Sequence, residues 1–589
     1  MVPAGTGRDR SLAEQGGRSA WEHGAPERPP FQSLGLEQID GVILGMQWVQ
    51  EYNPLGNILL SAFVAAIPLC ILFYMLAVKR SKGHLAALAS AAAAALLAIV
   101  FWDMPARLAL DAVAYGAAFG MFPIAWIIVT AIWTYNMTVE SGEFEIIKNS
   151  LASITEDRRL QALIIAFGFG SFIEGAAGFG ASVAITTAML AGLGFNPLYA
   201  AGICLIANSA PVAFGTIGIP VVAASNASGL DMMAISRTVG RQLPLLSLVL
   251  PLWISVAMCG FRRSMEILPA ILVAGICYAG TQFLISNFVG PHLPDIVTAF
   301  VTIAGLSLLL KFWQPKSIWR FAGDNEAIQA RAERIHSRTA IMRAWLPWLI
   351  LSLAVLLCSL EGIRNSLNAI FLLSFDWPGL HGAVLKGAPV SAINTPYPAH
   401  FTFNFLSAAG TAILFSGLVS SLILSRYGLG KAVACFGRTA VQLRYPIATI
   451  IMVFGLAYTM SYSGMSSTLG LTISGTGFLF PFLASILGWL GVFLTGSDTT
   501  SNALFGATHK IAAQQIGISP ELCVAANASG GATGKMIAPH SISTATAAAR
   551  LAGREGDVFR FCLFHSVAMV LLIGLLTLLQ AHTRGWLVP

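Results

Sequence analysis

Two acids and one lysine occupy positions where ionisable groups are costly. Glu174 lies in Phe172-Ile-Glu-Gly-Ala-Ala-Gly-Phe-Gly180, Asp498 in Gly496-Ser-Asp-Thr-Thr-Ser-Asn502, and Lys535 in Asn527-Ala-Ser-Gly-Gly-Ala-Thr-Gly-Lys-Met-Ile-Ala-Pro539. All three fall within long apolar stretches, where an unpartnered charge costs roughly 2.5–3.5 kcal/mol on insertion scales, so such residues mark ion or substrate paths. Glu174 can carry a coupled proton, or it can cap backbone N–H groups of its own turn. Asp498 is the second proton-carrying candidate. Its neighbours Ser497, Thr499, Thr500, Ser501 and Asn502 make a hydrogen-bonding lining suited to a carboxylate or a hydroxyl group, with helix capping as the competing use. Lys535 is a natural partner for a monocarboxylate, or for Asp498 when the substrate is absent. A lysine that snorkels would sit nearer the interface than this one, which lies well before Arg550. His540 offers a proton relay or a structural imidazole.

These residues need elements to hold them, and the composition says which. Of 589 residues, 56% are hydrophobic and 10% charged, against roughly 25% charged in a soluble domain. Apolar blocks of ~20 residues recur along the chain, each able to cross a ~30 Å hydrocarbon layer as a helix. The expectation is an all-α polytopic membrane protein. The net charge of +7 sits in short connections, so it reports orientation in the membrane and argues against a nucleic-acid partner. The eight cysteines form no CxxC or Cys/His cluster and read as small hydrophobes, with no metal or other cofactor expected. No GxxxxGK[ST] loop is present, which disfavours ATP-driven transport.

Spans are expected near 57–78, 84–102, 109–135, 197–225, 240–260, 264–286, 294–312, 344–363, 401–424, 440–460, 519–549 and 558–580, about twelve crossings. Stretches 161–193 and 480–515 are interrupted by Gly, Ser and Thr and read as re-entrant hairpins. Placing Lys79, Arg158, Arg159, Arg262, Arg263, the basic cluster over 311–343, Arg426 and Arg550 on the cytoplasmic side works when both hairpins return to their own side, with both termini outside. The resulting divisions are a polar extension over 1–45, with Met46 as an alternative start, a first membrane half over 46–312, a basic linker over 313–343 and a second half over 344–589. Trp102, Trp126, Trp133, Trp313, Trp319, Trp345 and Trp348 read as an interfacial belt. Asp103, Asp111 and Arg444 lie at span ends and are given no chemistry.

The halves repeat a pattern. Each has F-x-x-G in its hairpin (Phe172 to Gly175, Phe493 to Gly496), followed by N-x6-G-x4-P (Asn208, Gly215, Pro220; Asn527, Gly534, Pro539). The expected topology threads the two copies in opposite directions. Gly and Pro inside a span release backbone groups that lipid cannot satisfy, so such breaks survive where they are buried or line a polar cavity. Free helix ends at Gly175, Gly178, Asn208, Ser209, Gly215, Asn527 and Gly534 would then meet near the midplane, offering N–H groups to an anion and carbonyls to a cation. That is the plan of a secondary transporter.

The strings Phe172-Ile-Glu-Gly-Ala-Ala-Gly-Phe-Gly-Ala-Ser-Val-Ala-Ile-Thr, Asn196-Pro-Leu-Tyr-Ala-Ala-Gly, Ala210-Pro-Val-Ala-Phe-Gly, Gly240-Arg-Gln-Leu-Pro, Gly496-Ser-Asp-Thr-Thr-Ser-Asn-Ala-Leu-Phe-Gly and Ala532-Thr-Gly-Lys-Met-Ile-Ala-Pro resemble the lactate permease family from about Met46 onward. Ser182 stands where that pattern has Pro. The resemblance implies import of L-lactate, and of D-lactate and glycolate, with protons across the bacterial inner membrane, through a hairpin-plus-broken-helix plan with elevator-like movement. It makes a small monocarboxylate, the proton and membrane lipid the partners and leaves a homo-oligomer open. A sodium-coupled anion symporter is the first alternative and an anion channel with the same lining the second. A membrane-embedded hydrolase lacks both a metal cluster and a Ser–His pairing.

Overall fold

The computed structural model describes residues 47–583 apart from 80, 179, 322–335, 425–426 and 552. The expected extension over 1–45 and the middle of the basic linker lie outside the described residues. Most of the apolar blocks are helical. Among the described residues, ten helices are long and apolar enough to cross a membrane: Ile58–Leu76, Gly83–Phe101, Ala106–Glu140, Met232–Cys259, Leu268–Phe288, Pro294–Phe312, Arg338–Cys358, Gly428–Ser463, Gly477–Thr495 and Glu555–His582. An eleventh arises if Pro197–Ala207 and Val212–Ser228, bent by 60° at their junction, count as one span. Local signals set these boundaries. Asn57 caps the first helix by accepting from the Leu59 and Leu60 amides, and Asn196 with Pro197 opens the broken one, as caps and first-turn prolines do. Leu59, Phe63, Phe288, Phe312 and Phe564 stay exposed on the outside of the bundle, the apolar surface a lipid-facing wall requires.

One of the twelve expected spans comes out differently. Over 401–424 the chain starts as a strand, because His400-Phe-Thr-Phe403 alternates polar and apolar residues, and only Ala409–Ile423 is helical. Over 519–549 the break falls where the Gly and Pro pattern puts it: the helix stops at Gly534 and resumes at Pro539, since proline has no N–H for the helical ladder. The stretch between the spans is also not all helical. Strands β1 (Trp48–Val49), β2 (Leu373–Asp376), β3 (Val384–Lys386), β4 (Thr395–Pro396) and β5 (His400–Phe403) build two small sheets, β1-β3-β4 and β2-β5.

The interfacial belt expected of seven tryptophans is corrected by packing for three of them. Trp102, Trp133 and Trp348 are fully buried, and the Trp133 indole donates to the Ala432 carbonyl, so these three belong to the interior and not to an interfacial belt. Arg159 is fully buried, bonded to Asp157 at 2.7 Å and Glu266 at 2.8 Å; it acts as a structural clamp beyond any orienting role, and its guanidinium holds the Glu266 carboxyl below the usual range. All eight cysteines are free.

The elements that carry the site are, in chain order, α1 (Gly170–Ala176), α2 (Ala181–Gly192), α3 (Pro197–Ala207), α4 (Gly215–Ser228), α5 (Pro294–Phe312), α6 (Phe480–Thr495), α7 (Asp498–Gln515), α8 (Pro520–Gly534) and α9 (Pro539–Ala548). Helices α1 and α2 join through a turn with Gly178 and Gly180 at positive φ, and α6 and α7 through Gly496 at positive φ. Both expected hairpin stretches are helix–turn–helix units followed by a broken helix, and the first arm of the second, Gly477–Thr495, is by itself long and apolar enough to cross a membrane.

Candidate functional site

The two hairpin turns and the two helix breaks converge on one cavity. Glu174, Gly215 and Thr216 line it from the first unit, and Gly496, Ser497, Asp498, Thr499 and Lys535 from the second. The volume open to water centres is about 50 Å³, against the ~10–15 Å³ that one water needs.

Glu174 sits near the end of α1 and is almost completely buried, with its side chain 2% exposed. Gly175 makes the placement possible: a Cβ there would fall 2.7 Å from Cβ of Asp295, at the start of α5. One Glu174 oxygen, Oε1, is ion-paired with the Lys535 ammonium, which reaches it from the 3-10 turn that follows α8. The other, Oε2, lies 2.5 Å from Ser182 Oγ, which also lies 2.8 Å from Asn208 Oδ1. A hydroxyl has one proton for these two acceptors. Two arrangements satisfy the trio. A protonated Glu174 donates to Ser182, which donates to Asn208; or an ionised Glu174 accepts from Ser182 while Asn208 turns its NH2 toward the hydroxyl. The Asn208 amide nitrogen is buried without a partner, so its orientation can follow the proton on Glu174.

Asp498 is built differently. Ser497 caps α7 by accepting from the Thr500 amide at 3.2 Å, which places Asp498 in the first helical turn. A side chain at Gly531 would collide with Asp498 Oδ1. Asp498 is 3% exposed, and neither carboxylate oxygen has a hydrogen-bond partner. Behind it, Asn527 donates to Asn502 Oδ1 at 2.7 Å and to Ser501 at 3.4 Å, while Asn502 donates to the Pro220 carbonyl at 3.2 Å.

The sequence-derived residues therefore divide. Glu174, Gly215, Ser497, Asp498, Thr499 and Lys535 share the cavity. Thr500, Ser501, Asn502 and Asn527 lie buried at its back, joining α7, α8 and α4. Ser209 is buried without a hydrogen bond to its hydroxyl, Gly178 is pressed against the Thr216 hydroxyl, Gly175 faces α5, and Gly534 abuts the Trp489 backbone. His540 is exposed and lies beside both turns: a Cβ at Gly180 would be 3.7 Å from its Nε2, and one at Gly496 3.4 Å from its Cβ.

Three contributors escaped sequence reasoning. Ser182 was seen only as a departure from a family pattern. Thr216 occupies the position after Gly215 that Lys535 occupies after Gly534, a correspondence readable from the repeat. Asp295 follows a proline at a span start and looks like an ordinary first-turn acid. In the fold it is 2% exposed, has neither oxygen hydrogen-bonded, and feels the charges of Glu174 and Lys535. Three carboxyl groups thus surround one ammonium. Burial of more than one net charge costs many kcal/mol, which sets this cluster apart from an ordinary ion pair.

Comparisons with known proteins give the family. The family profile "L-lactate permease" matches residues 61–583. The chain is 47% identical to the L-lactate permease of Bacillus subtilis (strain 168), over 92% of this chain and 100% of that one. It is 48% identical to glycolate permease GlcA of Escherichia coli (strain K12), over 91% of this chain and 98% of that one. Among solved structures, Neisseria gonorrhoeae MtrF, titled as representing a class of antimetabolite efflux pumps, is 12% identical with a TM-score of 0.46, covering 83% of this chain and 86% of that one. With a family match across nearly the whole described chain and near-half identity to full-length permeases, the chain belongs to the L-lactate permease family, as a multi-pass transport protein of the bacterial inner membrane and not an enzyme.

Proposed function

We propose that this protein imports L-lactate and related small 2-hydroxymonocarboxylates, D-lactate and glycolate among them, together with protons. The observation that carries the reading is the buried Lys535–Glu174 ion pair at the wall of a polar cavity. The names of the relatives, permeases for L-lactate and for glycolate, supply the substrate class. The substrate carboxylate takes Glu174's place on Lys535. Glu174, deprived of its cation in a dry setting, then binds a proton and donates through Ser182 to Asn208. One anion and one proton enter together, and the buried charge does not change. The 2-hydroxyl group meets Ser497, Thr499 and Thr216. Asp498, which lacks a partner, carries a proton and offers a hydrogen bond in place of a repelling charge. His540, beside both turns, passes protons between the cavity and water. Read as inverted repeats, the two units supply the two faces between which the site alternates.

The test is uptake of radiolabelled L-lactate into proteoliposomes with an imposed inside-alkaline pH gradient and choline in place of sodium. Uphill accumulation is expected, and its absence overturns the reading. Glu174→Gln is expected to lose pH-driven accumulation while keeping lactate exchange. Unchanged accumulation in that variant removes Glu174 as the proton carrier.

A further inference from the structure

A second polar cavity, with about 40 Å³ open to water centres, lies at the far ends of α4 and α7. These helices pack along each other and both lead to it from the central site, α4 from Thr216 to Ser228 and α7 from Asp498 to Lys510. At 1.5 Å per residue, the α7 path is about 18 Å long.

Two ammonium groups line this cavity, those of Lys386 and Lys510. Lys386 stands on β3, which is bonded on both sides, to β1 and β4. Its Nζ lies 3.5 Å from the centre of the Tyr397 ring. Lys510 donates to the Ser228 carbonyl at 2.8 Å. Ser461 and Ser467 add hydroxyl groups. Among the described residues, no carboxylate lies within ion-pair distance of either lysine. Glu521, whose charge bears on Lys510, instead accepts a hydrogen bond from Ser519 at 2.9 Å. Burial and the charge of Lys510 press Lys386 down to about 8. Two cations without an ion-paired acid, in a small cavity with an aromatic wall and hydroxyl groups, form an incomplete electrostatic unit. A single carboxylate completes it by accepting from both ammonium groups, as charge-assisted bonds of this type do.

We propose that this cavity is an outer anion site, which binds the carboxylate of the transported monocarboxylate before it passes along the α4–α7 seam to Lys535. The inference rests on the proposed function for the identity of the anion. A pre-capture site of this kind raises the local substrate concentration at the mouth of the path.

The experiment is equilibrium binding of radiolabelled L-lactate to the purified full chain in the Lys535→Gln background, which removes the central ammonium. That variant is expected to retain a lactate site. Adding Lys386→Gln, or separately Lys510→Gln, is expected to weaken it about tenfold, the scale of one charge-assisted bond. The two lysines stand on different elements, so one variant reads the site if the other fails to fold. Three results overturn the proposal: no lactate bound in the Lys535→Gln protein, equal binding with and without the second substitution, or displacement by equimolar chloride, which would assign the cavity to an inorganic ion. Uptake by the wild-type protein is measured on the same preparation. Its absence removes the proposed function, while lactate binding lost at Lys386 and Lys510 still establishes a carboxylate site.

Discussion

In the first unit both oxygens of Glu174 are engaged, one by Lys535 and the other by Ser182; in the second, neither oxygen of Asp498 has a partner. Each unit is a helix–turn–helix followed by a broken helix, and among their differences one bears directly on charge. After the glycine of N-x6-G-x4-P, the first break places Thr216 and the second Lys535. The cation of the second break serves the acid of the first hairpin, so the ion pair ties the two units together. Asp498 has no ion pair or hydrogen bond in return, although the charge of Lys535 bears on it. An uncompensated buried carboxylate is far costlier than a paired one, so Glu174 and Asp498 sit in different electrostatic settings.

The largest effect should come from cutting the tie. Lys535→Gln is expected to reduce L-lactate uptake at least 100-fold and to lower the melting temperature, because breaking a buried pair from one side costs about 3–5 kcal/mol by stranding the other charge. Combining it with Glu174→Gln should restore most of the melting temperature and none of the uptake. A double variant no more stable than Lys535→Gln alone would mean that Glu174 is held by something other than this lysine.

Asp498 should respond with the opposite sign. Glu174→Gln leaves Lys535 unpaired and destabilises, whereas Asp498→Asn removes a carboxylate that has no partner to lose. Thermal unfolding in detergent should show Asp498→Asn unchanged or more stable by about 1 kcal/mol, with uptake about tenfold lower. Equal destabilisation by the two substitutions would erase the electrostatic contrast between the units.

How much of this was readable from the sequence follows from the physics of each residue. Glu174, Asp498 and Lys535 were legible because an ionisable group within an apolar run has few explanations. The turns and breaks were legible because Gly and Pro interrupt a helix in ways lipid does not forgive. Asp295 was not, since an acid after a proline at a helix start needs no special environment, and only packing against Gly175 buries it. Ser501, Asn502 and Asn527 were recognised as polar, but sequence says nothing about which face of a buried helix meets a cavity and which meets another helix. The start of the 401–424 span was lost to a run of Phe and Thr that suits a strand as well as a membrane helix. Trp133 looked interfacial until its indole found the Ala432 carbonyl.

The packing of the units gives a smaller, steric contrast. Along the seam between α6 and α8, a Cβ on Gly488 would strike the Asn527 carbonyl, one on Gly530 the Ser485 carbonyl and one on Gly534 the Trp489 carbonyl. Backbone meets backbone there, and neither side can turn away. At the first break, a Cβ on Gly215 would come 3.2 Å from Glu174 Oε1, the end of a side chain that can move. Gly530→Ala is therefore expected to destabilise by about 1–3 kcal/mol, as overpacking does. Gly215→Ala should cost less stability and act mainly by displacing Glu174, seen as a weakened response of uptake to the pH gradient. A Gly215→Ala protein as unstable as Gly530→Ala would show the first break to be equally rigid.

The smallest effect concerns the backbone of the breaks. Thr216 and Ile217 stand at φ +44° and +57°, followed by Gly218 at +76°, whereas the second break runs through Lys535 in a helical conformation and Ala538 at ψ +133°. A β-branched residue in the left-handed region stores about 1–3 kcal/mol, and replacing it by glycine returns part of that while adding about 0.5–1 kcal/mol of chain entropy to lose on folding. Thr216→Gly should therefore leave the melting temperature level or slightly raised. It should also increase the half-saturation concentration for lactate two- to threefold, about the loss of one neutral hydrogen bond. A drop in stability would mean that the surroundings need the threonine side chain more than its conformation costs them, and that the strain of the first break is supported by the same contact that presses its hydroxyl against Gly178.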